Sequence, residues 1–120
     1  MDDKRLLIVD DDADTCANLS DILTDHGFDV QFAYGAPEAL VLFGERRYQL
    51  ALLDFKLPCM TGVELFRRMR LMDGNIIGLL VTAFASIETE RQAESAGLRH
   101  VVSKPLELPS FLRLIEQALV

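Results

Sequence analysis

The sequence predicts an α/β fold, a doubly wound parallel sheet of five strands with five flanking helices, and three observations carry that expectation. Short apolar runs alternate five times with helix-like amphipathic stretches, the order that builds βαβ units with right-handed crossovers. The runs LALL at 50–53 and IIGLLV at 76–81 are almost continuously apolar, as strands covered on both faces are. Four of the five runs end on a polar side chain: Asp10, Asp54, Thr82 and Lys104.

Each element has its own signals. Arg5 to Val9 is a short apolar strand that runs into Asp10, Asp11 and Asp12. Asp12 is placed to cap a helix starting near Ala13, which runs to about His26 with Gly27 as its stop. Cys16 shares a stripe with Leu19, Ile22 and Leu23 there and reads as a buried, inert thiol. Phe28 to Tyr34 alternates loosely as a second strand. Ala36 and Pro37 open the next helix, with Ala39, Leu40 and Phe43 inward and an end near Arg47.

The third strand, Leu50 to Leu53, stops on Asp54. Pro58 marks a turn, and Thr61 with Glu64 matches a capping box for a helix from Gly62 to Met72. That helix buries Val63, Phe66 and Met69, and Arg67, Arg68 and Arg70 read as its solvated face. The fourth strand ends on Thr82, followed by Ala83. Ser86 caps a helix closed by Gly97, whose inward residues are Ile87 and small ones such as Ala93 and Ala96. So little apolar area predicts a weakly anchored helix. The last strand, His100 to Ser103, ends on Lys104-Pro105, and the last helix carries Leu108, Phe111, Leu112, Ile115 and Leu119.

Composition bounds the function. A chain of 120 residues, half of them hydrophobic, is expected to form a single domain spanning 1–120. A formal charge of −7 argues against a direct nucleic-acid binder, which needs a basic footprint. The apolar runs are too short to cross a bilayer and MDDKR lacks a secretory pattern, so a cytoplasmic protein without membrane contact is expected. Cys16 and Cys59 form no CxxC.

In a parallel sheet the polar strand ends share one edge, where open α/β sheets place their ligands. An isolated aspartate is usually a solvated loop acid; Asp54 is distinguished by the partners the topology brings to it. Asp10, Asp11 and Asp54 together repel, and with one lysine nearby a divalent cation is the natural compensator. Oxygen donors without histidine suit magnesium rather than zinc. Screened by such a cation, Asp54 can attack phosphorus to form an aspartyl phosphate, with Lys104 and the Thr82 hydroxyl on the phosphoryl oxygens.

The pieces LLIVDDD, LLDFKLPCMTG, LLVTA and SKP, in this order, resemble the receiver domain of bacterial two-component response regulators. The resemblance covers the whole chain and implies the flavodoxin-like sheet order 2-1-3-4-5. It implies Asp54 as phosphoacceptor from a histidine kinase or phosphotransfer protein, and magnesium on Asp10, Asp11, Asp54 and the Lys56 backbone carbonyl. Thr82, Ala83, Lys104 and Pro105 become the phosphoryl-stabilising and switch group, with a cis bond between Lys104 and Pro105. The implied role is a signalling switch rather than an enzyme, promoting its own phosphorylation and dephosphorylation. It changes its surface at the fourth helix, fifth strand and fifth helix, where a homodimer or output partner would form.

The chain departs from the family in three respects, one being that the residues after Lys104 suffice for one helix only, so no output domain is expected in this chain. Family members commonly carry an aromatic ring three residues before the lysine, where this chain has Val101, so activation is expected to pass through the loop after Thr82 and the weakly anchored fourth helix. Lys56 and Phe84 flank the path of an attacking water and are expected to lengthen the life of the aspartyl phosphate. A phosphohydrolase of the haloacid-dehalogenase type would place its nucleophile at Asp10, but it needs a second acidic pair at a later strand end, and AFASIE follows Thr82. A phosphate-independent interaction module and a flavin-binding relative fit less well, the latter because the first loop is acidic.

Overall fold

The computed structural model describes residues 4–83 and 85–120. The chain runs β1 (Arg5–Val9), α1 (Ala13–Asp25), β2 (Asp29–Ala33), α2 (Ala36–Glu45), β3 (Leu50–Leu53), α3 (Gly62–Met72), β4 (Ile77–Thr82), α4 (Ile87–Ala96), β5 (His100–Ser103) and α5 (Leu108–Ala118). The five strands pair in parallel in the order β2-β1-β3-β4-β5. This is the expected doubly wound sheet. The register Val9↔Leu53 brings the ends of β1 and β3 level, while β4, paired Leu53↔Leu80, runs two residues further to Thr82, so Asp10 and Asp54 leave neighbouring strands at the same height.

Alternation along the central strands divides the core in two. Leu7, Val9, Ala51, Leu53 and Leu80 face α2, α3 and α4, with Phe43, Phe66 and Met69 filling the layer. Leu6, Ile8, Leu50, Leu52 and Leu79 face α1 and α5, against Cys16, Leu23, Phe111 and Ile115. α1 begins on the Asp12 cap, whose side chain accepts from the Asp14 N–H. α3 begins on the full Thr61–Glu64 capping box. The cap N–H at His26 and the two N–H groups that follow it bond to the last carbonyls of α1, with Gly27 in the left-handed region at φ +91°. α2 stops at Glu45, short of the Arg47 expected, because Arg46 is already extended. In α5 the buried residues are Phe111, Ile115 and Ala118, while Leu108 at its first turn is exposed.

Two expectations are corrected. Ile87 does not face inward: it is 73% exposed, because the buried stripe of α4 is Thr89, Ala93 and Ala96. Position 87 falls on the opposite side of a helix at 100° per residue. α4 is therefore anchored even more lightly than its composition implies. Arg70 is not only part of a solvated face: its Nη1 donates to the Ala96 carbonyl at 3.1 Å, tying α3 to the end of α4. Phe84 lies outside the described residues.

Candidate functional site

Each strand tip delivers its side chain for a local reason. Asp10 follows four fully buried apolar residues of β1 and is itself only 4% exposed. Its Oδ1 accepts from the Asp12 N–H at 2.9 Å, and its backbone carbonyl accepts from the buried Cys16 thiol at 3.2 Å. That pair of bonds fixes the turn from β1 into α1. Burial, with the Asp10 charge adding to it, pushes the Cys16 thiol up to about 11. Asp12, by contrast, is held below the ordinary carboxylate range by the Thr15 hydroxyl and the Asp14 N–H; it serves the helix and not the pocket.

Asp54 closes β3, its N–H donating to the Val9 carbonyl at 2.9 Å. The loop behind it is folded back tightly: Gly62 N–H donates to the Phe55 carbonyl at 2.8 Å, and Lys56 bridges antiparallel to Thr61. Gly62 is required here, since a Cβ would overlap the Asp54 carbonyl oxygen. This contact was missed at the level of sequence, where Gly62 reads only as a helix start. Cys59, in the same loop, adopts φ 76° and is exposed.

Lys104 joins the two acids. Its Nζ donates to Asp10 Oδ2 at 2.7 Å and to Asp54 Oδ2 at 3.0 Å. The shorter bond is to Asp10, so the ammonium is shared between the two acids and does not belong to Asp54 alone. Burial works against the ammonium charge, but the hydrogen bonds of Asp10 and Asp54 outweigh it and hold the lysine above its ordinary pKa. Lys104-Pro105 is cis, as expected. Asp10, Asp11 and Asp54 offer carboxylate oxygens that all lie within 4.8 Å of one another, with Asp11 exposed on the solvent side. Thr82 is fully buried at the end of β4 and Ala83 after it is exposed. Lys56 is exposed at the rim, its N–H 3.4 Å from Asp54 Oδ1. Val101 is half-buried against the α3/α4 layer of the core.

The donor set fits a hard divalent cation: oxygens only, two of the three acids well desolvated, one open to water. Beside it an apolar groove of about 760 Å³ runs between Thr15, Leu19 and Ile22 of α1 and the segment Lys104 to Leu106, so that Lys104 belongs to both groove and acid cluster. Among the described residues no helix is long and apolar enough to cross a membrane.

Comparison with known proteins bears on this arrangement. Residues 6–116 match the model of the response regulator receiver domain. A response regulator receiver protein of Anaeromyxobacter is 36% identical over 111 residues, 92% of this chain and 47% of that protein. The chain thus spans less than half of the first curated relatives it matches, 26% of the next. Among solved structures, a receiver domain protein of Methanospirillum hungatei superposes with a TM-score of 0.94 at 33% identity, covering 98% of this chain and 94% of that one. A response regulator protein of Burkholderia pseudomallei, solved with a phosphorylated aspartic acid, calcium ion and citrate, gives 0.86 at 29% identity, covering 92% and 65%.

Proposed function

Since the chain belongs to the response regulator receiver domain family over residues 6–116, a family of two-component signalling domains, we propose that Asp54 is its phosphoacceptor and that a bound magnesium ion assists. The observation that carries this is the meeting of Asp10, Asp11 and Asp54 oxygens within 4.8 Å while one lysine bridges the two inner acids.

Asp10, Asp11 and Asp54, with the Lys56 carbonyl, would hold the ion. When bound it supplies positive charge that screens the acids and the incoming phosphoryl oxygens. The chain's own residues do the rest. An oxygen of Asp54 attacks phosphorus as the bond from phosphorus to a donor imidazole nitrogen breaks; the ring, protonated on its other nitrogen, takes the bonding pair and leaves neutral, and an acyl phosphate remains on Asp54. Lys104 gives up an Asp54 hydrogen bond for one to a phosphoryl oxygen, and its raised pKa keeps it charged for that purpose. The Thr82 hydroxyl donates to another oxygen. The exposed Lys56 side chain adds a cation at the rim and slows hydrolysis.

The donor is a histidine kinase or phosphotransfer protein. The apolar groove that shares Lys104 with the pocket suits a helix carrying the donor histidine past Asp54. Phosphorylation adds about −1.5 to −2 charge to a cluster already negative. The loop after Thr82 and α4 then rearrange, and a homodimer or output partner senses the change across α4, β5 and α5. The activity is that of a cytoplasmic signalling switch that catalyses only its own phosphorylation and dephosphorylation.

Intact mass before and after incubation with acetyl phosphate and magnesium tests the assignment. Wild type should gain one phosphoryl group, and none when magnesium is chelated before the reaction; Asp54→Ala should gain none in either case. Equal labelling of the two proteins would overturn it.

A further inference from the structure

The two ends of α4 are held in opposite ways. At its N-terminal end Ile87 is 73% exposed, Thr89 is the only buried residue of the first turn, and the Ser86 hydroxyl, which accepts from the Thr89 N–H at 3.1 Å, caps it. At its C-terminal end two independent contacts converge. Arg70 Nη1 donates to the Ala96 carbonyl at 3.1 Å, one of the carbonyls a helix leaves unpaired, at the negative end of its dipole. The guanidinium lies so close over Gly97, at φ +90°, that a Cβ there would overlap Nη1. Immediately after, Leu98 is buried and packs with Phe66 of α3 over Gly78, where a Cβ would overlap both.

We propose that Arg70, seconded by Leu98, pins the C-terminal end of α4 to α3, so that α4 answers the pocket by tilting its Thr82-proximal half about that pin. Arg70 is thereby a positioning residue that decides which part of the helix face is presented to a partner. The tilt rests on the assignment of Asp54; the pin does not. No charged group of α4 itself can do the same work, since its last turn carries no basic residue. The loose end is the one that follows Thr82 most closely in sequence, which is where a change in that hydroxyl's bonding arrives first.

Amide hydrogen exchange on wild type, Arg70→Ala and Arg70→Lys, each with and without beryllofluoride and magnesium, separates these statements. In the resting protein, Arg70→Ala should lower protection about tenfold at Gly97 and Leu98, the change expected for losing one charge-assisted hydrogen bond. α3 amides such as Leu65 should be unaffected, and Arg70→Lys should recover part of the loss. Equal protection in wild type and Arg70→Ala overturns the pin. With beryllofluoride, wild type should change at Glu90, whose N–H bonds the Ser86 carbonyl, and not at Gly97 or Leu98; in Arg70→Ala the change should spread to both. A wild-type response as large at Gly97 as at Glu90 overturns the tilt. Absence of any response at Lys56, beside Asp54, overturns the phosphoacceptor assignment and the tilt with it, while the resting comparison still decides the pin.

Discussion

α3 and α4 are successive helices of similar length on the same face of the sheet, and they are built for opposite purposes. α3 buries Val63, Leu65, Phe66 and Met69 and opens on a capping box in which both reciprocal bonds are present. α4 buries Thr89, Ala93 and Ala96 and turns Ile87 to solvent. At roughly 25 cal/mol per Å² of apolar surface, the difference between a face of Val63, Leu65, Phe66 and Met69 and one of Thr89 and two alanines amounts to several kcal/mol of anchoring. The helix behind Asp54 is a fixed wall that keeps the acid in place. The helix behind Thr82 is the part that can move without unfolding the domain.

The largest test of that contrast is Phe66→Ala. With the ring fully buried, the variant should lose about 3–5 kcal/mol in denaturant unfolding; a loss under about 1 kcal/mol would mean α3 is no better anchored than α4. α1, on the other face, belongs with α3, because its Cys16 is completely buried. The thiol pKa is raised from 9.0 to about 11, so its protonated form stabilises the fold below pH about 9 and that contribution is lost as pH rises toward 11. The melting temperature should fall across this window, and Cys16→Ser, which has no group that ionises there, should flatten the fall; at neutral pH an alkylating reagent should label only the exposed Cys59. A flat alkaline profile would contradict the burial.

Lys104 stands between the two helices' territories. Lys104→Met leaves Asp10 and Asp54 without their shared cation and should cost about 1–2 kcal/mol, screened because the lysine is partly exposed; magnesium should recover more stability in the variant than in wild type. The smallest effect is Ile87→Ala, which should stay within about 0.5 kcal/mol. A larger loss would show that Ile87 anchors α4 after all.

Much of this was legible in the residues. The bounds of α3 and α4 follow from Thr61, Ser86 and Gly97, because caps act locally and leave local signatures. The strand tips that form the pocket could be named from where the apolar runs stop, and parallel topology did the rest. What stayed hidden depends on groups far apart in sequence or on the backbone. Arg70 meets a carbonyl 26 residues away, and no pattern of side chains marks a carbonyl. Gly62 is needed because the Asp54 carbonyl crowds its α-carbon, a close approach that composition does not record. Ile87 was misassigned because the rule that apolar residues face inward gives way to helix phase once Thr89, Ala93 and Ala96 define the stripe.

The proposed switch requires one carboxylate of the pocket to accept phosphorus. Trapping the acyl phosphate with borohydride after reaction with acetyl phosphate, then locating the reduced residue by peptide mass mapping, identifies that carboxylate. The label should fall on Asp54 alone and disappear when Asp10 and Asp11 are both changed to asparagine in the presence of magnesium. A label on Asp10, or one that survives the double change undiminished, would contradict the assignment of the site.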